Sequence, residues 1–193
     1  MSELIIDAAH TALVVIDLQK GIVGRTCAPH AATLVVANTV RLLSAARRAG
    51  VLPVLVHVGG AADGADRLCP EADQPLSRSS VLPADWCDLI PELDRQPTDL
   101  VILKRQWGAF FGTDLDLQLR RRRLTTIILC GIATEFGVES TARDAYERGY
   151  NQILVEDAMT GLSAASHVDA IEHIFPRLGK VLRTAQVGSA LGA

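Results

Sequence analysis

Three positions in this chain place a chemically meaningful residue where a parallel sheet would hold a ligand: Asp17, Lys104 and Gly137. Asp17 follows ALVVI, residues 12–16, a short continuous apolar run that reads as a strand buried on both faces. A carboxylate at the C-terminal end of such a strand stands where open α/β sheets bind ligands. The plainer reading, a turn-capping aspartate, carries equal weight for this residue alone. Lys104 follows LVIL, residues 100–103, and opens KRQWGAFFGTDL, where Trp107, Phe110 and Phe111 sit among small residues. A lysine at a strand end beside aromatics fits a pocket wall. Taken alone it fits better as a solvated charge followed by core aromatics. Gly137 lies in TTIILCGIATEFGVESTARDA, residues 125–145, which reads as a buried strand, a tight turn at Cys130-Gly131 and the first turns of a helix. Glycine costs roughly 1 kcal/mol in a helix interior relative to alanine. A ligand that uses the space and the backbone N–H groups of that helix start would account for it.

The elements that must position these residues follow from periodicity. Residues 31–49 read as a helix, with Leu34, Val35, Asn38, Leu42, Leu43 and Ala46 at three- and four-residue spacing and Gly50 as its stop. VLPVLVHV, residues 51–58, is the second strand, with Pro53 near its start or on an unpaired side. His57 reads as a strand-end residue, because no second histidine or carboxylate follows at ligand spacing. The pattern weakens over residues 59–98, where only residues 86–93 look helical. A connection this long reads as a functional or interface loop. A third strand covers residues 100–103. Residues 113–122 form a helix through Leu115, Leu117 and Leu119, with Thr113 as N-cap. A fourth strand, residues 125–129, leads to a helix capped by Thr134, with Glu135 in its first turn. Its buried stripe is Val138, Ala142, Ala145 and Tyr146, and Gly149 ends it. Residues 152–155 make a fifth strand ending at Glu156-Asp157. Residues 165–175 make another helix and residues 180–183 a last strand. Strands alternating with helices give a mainly parallel sheet with helices on both faces. Asp17, Lys104 and the start of the Gly137 helix then share one rim, and their joint reading as a crevice outweighs the separate plainer ones.

Composition bounds the rest. The 193 residues, 49% hydrophobic, suit a single domain spanning residues 1–193. A net charge of −3 does not point to a nucleic-acid or anionic-membrane partner. The basic run at residues 120–123 suits a helix C-terminus. Cys27, Cys69, Cys87 and Cys130 have no CxxC spacing, and the chain's start lacks a signal-peptide pattern. No apolar run approaches the ~18 residues needed to span a bilayer. The expectation is a cytoplasmic protein with reduced thiols.

ALVVIDLQ, KRQWGAFFGTDLDLQLRRR, CGIATEFGVESTARDAYERGYN and VEDA, in that order, resemble the isochorismatase-like hydrolase superfamily over about residues 11–183. The resemblance implies a six-stranded parallel sheet in a three-layer α/β/α, Rossmann-like arrangement, assembled as a homodimer or homotetramer. Most members are cysteine hydrolases of amides that use an aspartate, a lysine and a nucleophilic cysteine. Asp17 and Lys104 match the first two, and Gly137 stands at the nucleophile position. The bond between Ile132 and Ala133 matches a place where the family often has a cis peptide. Glycine cannot be a nucleophile. It does occur here in true isochorismatases, which hydrolyse a vinyl ether by protonation and addition of water. That implies Asp17 as a general acid with a pKa raised by burial, opposed by the lowering effect of Lys104. The GIAT segment, in place of a GVYA-type turn, looks closer to the amidase branch with its nucleophile replaced. Trp107, Phe110, Ala133, Phe136 and Gln19 are the candidate substrate-binding residues, with Asn38 a weaker one. Arg143 and Asp144 read as structural, an ion pair or a subunit contact. The leading expectation is a small-molecule hydrolase with a non-covalent, Asp17-led mechanism. The alternatives are a catalytically degenerate protein that binds a small carboxylate, or a hydrolase with a displaced nucleophile such as Cys130. No cofactor is expected. No catalytic metal is expected either, because VHVGGAADG lacks the DxH pattern of metal-dependent nicotinamidases.

Overall fold

The computed structural model describes residues 5–74 and 82–192. The strands are β1 (Thr11–Ile16), β2 (Leu52–Val58), β3 (Leu100–Lys104), β4 (Thr126–Ile132), β5 (Asn151–Thr160) and β6 (Lys180–Leu182). The α-helices are α1 (Lys20–Val23), α2 (Ala32–Ala49), α3 (Leu115–Arg121), α4 (Glu139–Glu147), α5 (Ala164–Asp169), α6 (Phe175–Leu178) and α7 (Thr184–Ala190). The six strands form one sheet in the order β3-β2-β1-β4-β5-β6, every pair parallel. This is the three-layer α/β/α architecture expected from the alternation of elements.

The period of two along β1 divides the core. Ala12, Val14 and Ile16 pack with Leu115 and Leu119 of α3, Ala142 and Ala145 of α4 and Phe175 of α6. Leu13 and Val15 pack on the other face with Val35, Leu42 and Leu43 of α2 and Val187 of α7. Strand order reverses beside β1, with β2 on one side and β4 on the other. That is the topological switch point at which such sheets open a crevice.

Several expected elements differ in the structure. No turn occurs at Cys130-Gly131, because β4 continues through both residues to Ile132. Gly131 is there for another reason. Its φ is +126°, and a Cβ on it would lie 2.1 Å from the Ile16 carbonyl oxygen of the neighbouring strand. β5 runs five residues beyond Val155, through a register shift that leaves Glu156 and Asp157 only partly buried. Residues 86–93 are not a helix. They form a turn, a bridge from Leu89 to Gln19, and a 3-10 turn at Pro91–Leu93. Residues 75–81 of the long connection lie outside the described residues. Thr134 does not cap a helix; it opens a π-helical turn, Thr134–Val138, that runs into α4. The α3 helix begins at Leu115, although the Thr113 hydroxyl still accepts the Leu115 N–H at 3.2 Å. Leu117 is exposed, since Leu115 and Leu119, four apart, define the buried face. Tyr146 is exposed as well. At ~100° per residue it lies about 80° round the helix from Val138, at the edge of the stripe.

Candidate active site

Asp17 is the first residue after β1, and the chain bends sharply there. Its φ is +53°, a left-handed conformation that aspartate tolerates better than most residues. Its N–H donates to the Val56 carbonyl of β2 and its carbonyl accepts the Gln19 N–H, both at 2.9 Å. Lys104, the last residue of β3, lies two strands away, roughly 10 Å at the usual strand spacing. Its long side chain covers that gap. Lys104 Nζ lies 2.8 Å from Asp17 Oδ2, and it also donates to the Trp107 carbonyl. Lys104 is 1% exposed and Asp17 6% exposed.

Gly137 completes the group from the third element, the π-turn. A Cβ there would lie 3.0 Å from Asp17 Oδ2, 3.0 Å from Lys104 Nζ and 2.8 Å from Ile16 Cγ2. The three positions therefore meet at one point. The space directly over Gly137 is filled by the ion pair and Ile16, where ligand space had been expected. The Phe136 and Val138 N–H groups both donate to the Ala133 carbonyl at 3.2 Å, which removes two of the donors expected to bind an anion there. The Ile132–Ala133 peptide is cis.

Burial pushes the Asp17 carboxyl up to about 6, against the lowering effect of Lys104, first by charge and then by hydrogen bond, and of the His57 charge. Asp17 Oδ1 is buried with no hydrogen-bond partner. This is a carboxyl that can hold a proton near neutral pH and offer it to something other than the protein. Cys130 has no such environment. It packs in the core layer on the α2 side, with the Thr39 hydroxyl 3.9 Å from its sulfur, and burial pushes its thiol up to about 12. The Thr141 hydroxyl is held too, donating to the Gly137 carbonyl at 2.6 Å and accepting the Ala109 N–H at 3.1 Å.

The candidate pocket residues separate into two groups. The rings of Trp107 and Phe136 meet at 4.9 Å, and Trp107 is 54% exposed, so this pair stands at the surface beside the Lys104 contact. Ala133, at the cis bond, lies at the foot of the π-turn. Phe110, by contrast, is a core residue, stacked on Tyr150 at 5.7 Å with Arg148 over its ring. Gln19 is fully buried, and its amide is committed to backbone: it accepts the Val58 N–H and donates to the Val58 and Trp86 carbonyls. It is a brace for the rim. Asn38 likewise donates to the Asp157 carbonyl at 2.6 Å. Arg143 pairs with Glu139 on the same helix and Asp144 with Arg148 at its C-terminal cap, and they do not pair with each other.

One cluster had no signal in the sequence. His30, Glu156 and His167 place ligand-type atoms within 4.8 Å of one another. Burial, and then the charge of His30, holds His167 below the usual imidazole range, against the pull of Glu156 and Glu135. These residues come from three distant segments, so no local spacing could have found them.

The family model described as the isochorismatase domain matches residues 11–186. An uncharacterized isochorismatase family protein of Bacillus subtilis, YwoC, is 49% identical over 187 residues, covering 96% of this chain and 96% of the relative. The ureidoacrylate amidohydrolase RutB of Methylobacterium radiotolerans is 32% identical, over 97% of this chain and 81% of its own length. Among solved structures, an isochorismatase family protein from Burkholderia thailandensis superposes with a TM-score of 0.93 at 44% identity, covering 100% of both chains.

Proposed function

This chain belongs to the isochorismatase family of hydrolases, and from that premise we propose that it hydrolyses a small molecule without a covalent enzyme intermediate, Asp17 acting as general acid. The observation that carries this reading is the bare Gly137 backbone beneath a buried Asp17–Lys104 pair. Cysteine amidase chemistry needs a nucleophile at that point. Here the family's nucleophile position has no side chain, and Cys130 faces the opposite layer as an un-ionised thiol.

A vinyl ether suits the remaining groups. The Asp17 proton goes to the terminal carbon of the C=C bond and leaves an oxocarbenium ion. Water adds to its carbon and gives a proton back to the Asp17 carboxylate. Collapse of the hemiketal releases a ketone and an alcohol. Two of the three Lys104 N–H donors are engaged, by Asp17 and the Trp107 carbonyl. We assign the third to a carboxylate or carbonyl oxygen of the substrate, with Trp107, Phe136 and Ala133 as walls.

The test is a panel of vinyl ethers, amides, ureides and esters, followed by Asp17→Asn on any substrate found. The variant should lose turnover, and full activity in it sinks the proposal. A general acid must carry its proton, so kcat/KM should fall as pH rises through about 6. A rate that rises through that pH would instead make Asp17 a base. Tight binding of a small carboxylate with no product from any class would replace this reading with that of a binding protein.

A further inference from the structure

His30, Glu156 and His167 come from the segment before α2, the register break of β5 and helix α5. They take no part in the Asp17–Lys104 pair. His30 Nε2 and Glu156 Oε1 are 3.0 Å apart. In a tetrahedral zinc-type site, bonds of about 2.0–2.2 Å put neighbouring ligand atoms roughly 3.3–3.5 Å apart. The widest separation here, within 4.8 Å, closes to that by small rotations of the partly exposed His30 and Glu156 side chains.

Two further observations point to a ligand. His167 is 2% exposed, and its Nε2 has no hydrogen-bond partner. An unpaired buried polar atom costs about 1–3 kcal/mol. Its other nitrogen, Nδ1, lies 2.8 Å from Thr134 Oγ1. With Nδ1–H donating to that hydroxyl, Nε2 presents a lone pair toward the cluster. Such an outer hydrogen bond is how metal-binding imidazoles are oriented. The remaining contacts hold the other two ligands in place. Glu156 Oε2 pairs with Arg183 at 3.3 Å, which leaves Oε1 facing His30. The His30 carbonyl accepts the Thr160 hydroxyl at 2.8 Å, and Ala28 and Gly161 exchange two backbone hydrogen bonds beside it.

We propose that His30, Glu156 and His167 bind a divalent cation of the zinc class through two imidazole nitrogens and one carboxylate oxygen. Three protein ligands leave one position open to solvent or a small ligand. Two nitrogens and one oxygen favour zinc, cobalt or nickel over magnesium or calcium. The ion ties the entry to α2 to β5 and α5. Through Thr134 it steadies the turn that carries Gly137. The expectation of no catalytic metal was drawn from the residues after His57 and concerns a different place in the fold.

Cobalt titration of the chelator-treated full chain, followed by visible absorption and calorimetry, tests this. One Co²⁺ per chain is expected, with the d–d bands of a tetrahedral site and competition by Zn²⁺. His30→Ala and Glu156→Gln should each weaken binding on the order of 100-fold or more while leaving the circular dichroism spectrum unchanged. Both residues are only partly buried, so these variants disturb the core less than substitution of the buried His167 would. Absence of binding at millimolar Co²⁺ overturns the proposal and leaves His167 Nε2 explained by its edge-on contact with the His30 ring, 5.4 Å between centroids. Binding of undiminished strength in both variants overturns it too, by placing the ion elsewhere.

Discussion

At the scale of single residues, the proposed chemistry depends on opposed influences on Asp17. Burial raises its carboxyl and Lys104 lowers it, and burial wins, leaving it at about 6. Lys104→Met removes the larger lowering influence, leaving only that of His57, so the pH-rate limb assigned to Asp17 should move to higher pH. A pH-rate profile of the variant checks this, and an unmoved limb would mean that another group titrates. Gly137→Ala tests the packing over the π-turn. In an open helix, alanine would stabilise by roughly 1 kcal/mol. Here its Cβ would press on Ile16, Asp17 and Lys104 at 2.8 to 3.0 Å, and overpacking of that kind costs about 1–3 kcal/mol. Denaturant unfolding should therefore show a net loss, and activity should fall as the ion pair shifts. Gly137 was legible as an anomaly because its helix cost is local. Its reason was not legible, since the three side chains that fill the space come from the end of β1, the residue after it and the end of β3.

At the scale of elements, the rim is set by the ends of β1, β3 and β4 and by what braces the strands between them. Gln19 joins the end of β2 to the segment at Trp86 through three hydrogen bonds. Gln19→Ala would leave the part-buried Val58 N–H and two carbonyls without these partners, at a cost of about 2–4 kcal/mol. Trp86 fluorescence should report loosening of that segment before global unfolding, and a single coincident transition would argue against it. In the sequence, Gln19 read as a pocket residue because it follows Asp17. Whether a side-chain amide meets substrate or backbone is decided by segments some forty and seventy residues away. The same holds for Gly131. Glycine after an apolar strand reads as a turn, whereas here it allows β4 to press against Ile16.

At the scale of the whole molecule, one six-stranded sheet with two helical layers accounts for the placement of the pair and the glycine. Phe111, Tyr146 and Trp107 remain exposed at 72%, 56% and 54%. The homodimer or homotetramer that the family resemblance implies is our proposal, and light scattering should give a multiple of 20.7 kDa. A monomer at micromolar concentration counts against it. Among the described residues, no helix is long and apolar enough to cross a membrane.

The sequence by itself determined the alternation of strands and helices, because short continuous apolar runs and the 3.6-residue apolar period are local properties of the chain. It also determined that Asp17, Lys104 and Gly137 lie on one rim, since each ends or follows a strand in a parallel sheet. Only the tertiary structure decided whether burial or Lys104 governs the Asp17 proton, because desolvation sums over neighbours from every layer. It alone brought His30, Glu156 and His167 together, because their proximity comes from packing between segments and leaves no trace in local spacing.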